Sequence, residues 1–115
     1  MSTHSFICME DDDSIRAIYS HFDGYLDGVG ATLKGHYQDR EKIEKLISLG
    51  DISGLFDTPE DCQAYKDSEV RRFDSIMELL EAATDSLIEY IYLYTDTGQW
   101  LWYEVFDDSS KWRNL

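Results

Sequence analysis

The residues best suited to chemistry crowd into one stretch, "AIYSHFDGYLDGVGATLKGHY", from Ala17 to Tyr37. His21, Asp23 and Asp27 lie close together there, and His36 follows one helix later. Imidazole and carboxylate groups together are ligands for a divalent cation. A histidine two residues from an aspartate at a strand end is also a pair suited to proton transfer. Against both readings, Asp-Gly is a turn dipeptide whose residue types are explained by the backbone of a tight bend. No HExxH motif, EF-hand spacing or second carboxylate–histidine cluster accompanies the stretch. The expectation is therefore structural: no catalytic residue, no metal site and no cofactor.

Other chemistries fare no better. Cys8 and Cys62 are far apart and lack a CxxC neighbour, so they read as thiols in a reducing compartment rather than as a disulfide or zinc framework. "GVGATLKG" lacks the Gly-Lys-Ser/Thr ending of a phosphate loop. The aromatics Tyr90, Tyr92, Tyr94, Trp100 and Trp102 are of a type that stacks on bases. Their two strands, however, carry Glu89 and Glu104 and no lysine or arginine to follow phosphates. Core packing is the expected role, with exposed aromatics left as anchors for a protein partner.

The elements that must position these residues follow from periodicity. "SFICME" and "IRAIYSHF" flank the turn "DDDS" and predict a β-hairpin with an acidic tip. "DGVGATLKGHY" reads as a helix weakened by Gly28, Gly30 and Gly35, which implies close backbone approach. "DREKIEKLISLG" is a clearer helix, capped by Asp39 and stopped by Gly50. "TPED" starts a short helix. "SIMELLEAATD" carries a Ser75–Glu78 capping box and an Ile76, Leu79, Leu80, Ala83 stripe. "LIEYIYLYT" and "QWLWYEVF", joined by "DTG", predict a second hairpin. Its first strand has Ile88, Tyr90, Tyr92 and Tyr94 on one face and Ile91 and Leu93 on the other, the pattern of a strand covered on both sides. The tail "DDSSKWRNL" reads as loose, with Trp112 pinning it. The expected fold is a single α+β domain over 1–115. It has two layers, a four-stranded antiparallel sheet made from the two hairpins and helices packed on one face.

Charge narrows the partners. The 115 residues carry 24 Asp and Glu against 10 Lys and Arg, a net charge of −14 spread through the chain. Such a surface repels nucleic acid and anionic membranes, and it is steered towards basic protein surfaces. The bland reading is that the acid only keeps a small protein soluble. The candidate partner-binding carboxylates are Asp11, Asp12 and Asp13 at the hairpin tip. Around the later helices they are Asp61, Asp67, Glu69, Asp74, Glu78, Glu81 and Asp85. No segment reaches the ~20 apolar residues of a membrane span, and the N-terminus has no basic region before an apolar run, so a cytoplasmic location is expected.

The segment "IYSHFDGYLDGVGATLKGHYQDREKIEKLISLGDISGL" resembles a family of small bacteriophage and prophage proteins. Its members carry an Ile-Tyr-Cys-His-Trp-Asp-Gly-Tyr-like start, then Gly, Leu and His-Tyr, a charged helix, a Leu-Gly-Asp-Ile-Ser-like turn and a later Glu-Tyr-x-Tyr-Leu strand. The resemblance rests on Ile18, Tyr19, His21, Asp23, Gly24 and Tyr25, then Val29, Gly30, Leu33, His36 and Tyr37. Leu49, Gly50, Asp51, Ser53 and Leu55 follow, with Glu89, Tyr90, Tyr92 and Leu93 later. Ser20 replaces the family's cysteine, Phe22 its tryptophan, and Leu26 stands where a proline often follows the tyrosine. The resemblance implies provenance rather than a reaction. With the charge, it gives the expected function: a phage-type binder of a host protein with a basic surface, acting as a DNA mimic towards a nucleic-acid-binding defence or transcription factor in the host cytoplasm. The alternatives are an accessory phage protein with incidental acidity, including a homodimer, and a small metal-dependent enzyme.

Overall fold

The chain runs β1 (Ser5–Glu10), β2 (Ile15–Ser20), α1 (Ala31–His36), α2 (Arg40–Ser48), β3 (Arg71–Phe73), α3 (Ile76–Asp85), β4 (Tyr90–Tyr94), β5 (Trp100–Glu104) and β6 (Arg113–Asn114). The computed structural model describes residues 3–12, 14–66 and 68–115, so the carboxylates expected at Asp13 and Asp67 lie outside the described residues. Both hairpins form as their sequences predict, with Ile7 opposite Ile18 in the first and Tyr92 opposite Trp102 in the second.

The way the hairpins join differs from the expected two-layer, four-stranded antiparallel sheet. Among the described residues the sheet has six strands in the order β3-β2-β1-β4-β5-β6. It is mixed, because β1 and β4 run parallel, from Ser5 opposite Tyr90 to Met9 opposite Tyr94. Helices cover both faces, giving three layers. The reason lies in these two central strands, which are apolar on both sides. Ile7, Met9, Tyr92 and Tyr94 pack with Val29, Leu33, Leu46 and Ile47 under α1 and α2. Phe6, Cys8, Ile91 and Leu93 pack with Leu79 and Ala83 of α3. A single helical layer would leave one of these sets in water, at about 1.5–3 kcal/mol for each large side chain.

Local chemistry sets the element ends. The Asp39 carboxylate accepts from Glu41 N–H at 3.2 Å to start α2, and Gly50, at φ +79°, ends it in the left-handed conformation. Ser75 Oγ accepts from Glu78 N–H, and the Glu78 carboxylate accepts from Asp74 N–H at 2.7 Å, closing the capping box. α3 then ends on a left-handed leucine, Leu87 at φ +58°, with Leu87 N–H reaching Thr84 C=O and Ile88 N–H reaching Ala83 C=O. This is the Schellman pattern, in which glycine is the usual occupant of that position. It also corrects one face assignment. Ile88 belongs to the α3 cap and packs with Ile91 and Leu93, because strand alternation begins only at Tyr90.

The short helix expected from "TPED" is a single 3₁₀ turn, Pro59–Asp61. The tail is fixed: β6 pairs with β5, Trp112 lies 5.1 Å from Tyr103, and Arg113 covers Trp102. Three aromatics tie loops to the core. Tyr92 Oη donates to Gly24 C=O at 2.7 Å, Trp100 Nε1 to Tyr37 C=O at 2.7 Å, and Tyr37 Oη to Phe56 C=O at 2.6 Å. No helix among the described residues is long and apolar enough to cross a membrane.

The glycine-rich segment divides in two. Leu26–Gly30 winds as a wide π-type turn that runs directly into α1. A Cβ at Gly28 would stand 2.2 Å from the Asp23 carbonyl oxygen, whereas one at Gly35 would meet nothing within 4 Å. Gly28→Ala should therefore destabilise the fold by about 1–3 kcal/mol. Gly35→Ala should stabilise it by about 0.5–1 kcal/mol through helix propensity. Urea unfolding midpoints of the two variants check the pair.

Candidate functional site

His4, Tyr19 and His21 meet at the open end of the first hairpin. Tyr19 Oη lies 2.6 Å from His21 Nδ1 and 2.9 Å from His4 Nδ1, and His4 Nδ1 is also 2.9 Å from the His21 carbonyl oxygen. A carbonyl only accepts, so His4 Nδ1 carries a proton. Giving the Tyr19 hydroxyl proton to its one remaining imidazole neighbour, Tyr19 Oη accepts from the shared His4 Nδ1–H and donates to His21 Nδ1 as the unprotonated nitrogen of its ring. The result is a directed chain from His4 through Tyr19 to His21. The two imidazoles stack with centroids 4.7 Å apart, and the Phe22 ring meets His21 at 79°, 4.5 Å away.

The backbone beneath is clamped. Asp51 accepts from Tyr19 N–H at 2.8 Å and takes Arg71 in a two-pronged ion pair at 2.6 and 3.2 Å. Burial, then the neighbouring Tyr65 and Asp51, raise the Tyr19 hydroxyl above its ordinary range. Chemically the cluster holds a proton in a fixed place and orients His21 and Phe22. The hairpin register carried the signal for it: Ser5 opposite Ser20, extended by one step, sets His4 across from His21.

The residues weighed for metal or acid–base chemistry do not come together. His21 turns into the cluster, while exposed His36 faces Asp57 at 3.4 Å. Asp23 is exposed, sits at φ +58° and accepts from Tyr25 Oη at 3.3 Å. Among the described residues no three His, Cys, Asp or Glu side chains converge as a ligand set. Ser20 is fully buried at the end of β2. Cys8 is fully buried, and that burial pushes its thiol far up, so it is a packed core residue.

The candidate carboxylates fall into three groups. Asp11 is already matched, by Arg16 Nε at 2.9 Å and Arg40 Nη2 at 3.3 Å. Asp12 and Asp74 share a groove with Asp11 and Glu10, between the hairpin tip and the start of α3. Along α3, exposed Glu78, Glu81 and Asp85 recur at intervals of three and four, which is one stripe of the helix, and exposed Asp74 stands just before its cap. Asp61 and Glu69 lie apart from this stripe, with Asp61 accepting from Thr58 Oγ1 at 3.0 Å.

One signal was missed in the periodicity reading. From Asp74 to Ser110 the chain has no lysine, arginine or histidine, whereas α1 and α2 carry Lys34, Arg40, Lys42 and Lys45. These helices cover opposite faces of the sheet: α3 carries acids and no cation, whereas acids and cations alternate along α2. No family model, no curated protein and no solved structure matches the chain.

Two predictions follow from the proton positions. Nitrogen-detected NMR of the imidazoles at neutral pH should find His4 as the Nδ1–H tautomer and His21 as the Nε2–H tautomer. The reverse assignment would contradict the directed chain.

Burial also raises Tyr37, with Cys62 adding to it, and Tyr92, with Tyr90 adding to it. With Cys8, these groups keep their protons when folded and lose them more readily when unfolded. Stability should therefore be flat near neutral pH. It should fall as pH rises past the ordinary thiol value of about 8.5 and phenol value of about 10, since the folded state binds more protons there. Denaturant midpoints across pH 7–11 measure this, and Tyr37→Phe should make the alkaline slope shallower.

Proposed function

We propose that the domain is a phage-type protein that binds a basic surface on a bacterial host protein through the α3 face, with its carboxylates occupying a groove that otherwise takes nucleic acid. The observation that supports this reading is the exposed stripe of Asp74, Glu78, Glu81 and Asp85 in a run of chain free of positive charge. At about 1.5 Å of rise per residue the helical carboxylates Glu78, Glu81 and Asp85 spread over about 10 Å, roughly one per 5 Å, with Asp74 just before the cap. A single DNA strand presents one phosphate per about 3.4 Å of axis, so the charge density is comparable. Asp12 extends the stripe past the helix start through the shared groove.

The same face bears on the alternatives. Met77 and Leu87 are exposed there, at 72% and 68%, and offer apolar contacts to a partner. Pairing two α3 faces in a homodimer would oppose eight carboxylates, and like charges set against one another cost several kcal/mol. A basic partner removes that cost. A role as an accessory protein with incidental acidity does not call for a stretch from Asp74 to Ser110 free of positive charge.

The test compares the wild-type chain with an Asp74→Asn, Glu78→Gln, Glu81→Gln, Asp85→Asn variant; glutamine at position 78 keeps an acceptor for the α3 cap. Wild type should capture a nucleic-acid-binding protein from bacterial lysate at low salt. Duplex DNA should displace that protein, and binding should fall steeply with salt. The variant should lose capture at least about tenfold. Capture that survives both the variant and the DNA competitor would overturn the reading.

A further inference from the structure

On the other side of the sheet from α3, beside the wide turn at Leu26–Gly30, lies a cavity of about 460 Å³. This is within the range of small-ligand sites, roughly 300–1,000 Å³. Phe22 and Phe56 line it and are 47% and 53% exposed, unusual for side chains of that size in a chain with a well-filled core. Asp23 and Asp61 supply two carboxylates, Ser53 and Gln63 supply neutral polar groups, and no lysine or arginine lines it.

The walls are preformed. Phe22 N–H donates to Ser53 C=O at 2.9 Å and Ser53 N–H to Gln63 C=O at 3.0 Å, so three segments are stitched together by backbone bonds. The backbone at Phe56 is held by the bond from Tyr37 Oη to its carbonyl, and the Phe22 ring by the edge-on contact with His21. Asp23 is fixed in its left-handed conformation with its carbonyl against Gly28.

Two aromatic side chains and two carboxylates lining one cavity select a cation. A nucleotide would meet the stacking walls but bring phosphates against Asp23 and Asp61. A neutral apolar ligand would strip water from both carboxylates without returning a charge. A planar guanidinium satisfies all the groups, because it stacks on rings and donates in a fork to carboxylates. We propose that this cavity binds an arginine side chain of a polypeptide partner. The site is independent of α3: it sits on the opposite face and uses Asp61 alone among the carboxylates considered for partner binding.

The experiment is an NMR titration of the full-length chain with acetyl-arginine-amide, acetyl-citrulline-amide and free L-arginine. Acetyl-arginine-amide should bind saturably in the millimolar range, with the largest amide shifts at Gly28, Ser53 and Gly54. Citrulline, which keeps the shape but loses the charge, should bind at least about tenfold more weakly. Phe56→Ala and Asp61→Asn alter exposed side chains, and each should weaken arginine binding at least about threefold while the melting point stays within a few degrees. The α3 variant with four neutralised carboxylates should bind acetyl-arginine-amide as wild type does, so loss of the α3 partner and loss of this site read out separately. Equal binding of citrulline, shifts confined to α3, or no shift at all would overturn the proposal. Tighter binding of free arginine than of the capped form would overturn its polypeptide source.

Discussion

The parallel pairing of β1 with β4 is the constraint on which the rest of the molecule depends. It joins two hairpins from opposite ends of the chain and puts residues 5–9 and 90–94 at the centre of the sheet. A central strand pair must be buried on both sides, so two separate cores become necessary, and helices must stand on both faces. The alternation in β1 then decides which helix goes where. Ile7 and Met9 face α1 and α2, while Phe6 and Cys8 face α3. Every surface considered for binding is laid out by that division.

Much of this was legible because it is local. The hairpins, the Asp39 cap, the Ser75–Glu78 capping box and the Gly50 stop all rest on contacts between near neighbours in sequence. The twofold apolar character of "LIEYIYLYT" even carried the sign of cover on both sides. What was not legible was which strand edge joins which. A short strand such as Arg71–Phe73 has no pattern of its own and exists because β2 offers it an edge. The Ile88 face was misread because Leu87 takes a left-handed conformation that glycine ordinarily supplies.

The candidate sites show the same boundary. The Asp23-Gly24 bend was readable as backbone chemistry. The meeting of His4 with His21 needed the hairpin register, and the cavity between Phe22 and Phe56 needed the path of the 53–63 loop. The charge of −14 was visible as a total, but its meaning depends on layers. Arg16 and Arg40 are drawn to Asp11, binding the hairpin tip to α2, while α3 on the opposite face carries no cation at all.

The pairing of residues 5–9 with 90–94 also has a consequence in time. While the chain is being made, β1 can bond to β2 on one side but has nothing on its other edge until the last quarter of the sequence emerges. The apolar faces of the first hairpin then wait for both α3 and β4. Contacts of such long sequence separation close slowly, because the entropy of the intervening loop is lost before the packing is gained. The nascent domain therefore carries an open, apolar strand edge for most of its synthesis. Such an edge is open to pairing with other chains until β4 arrives.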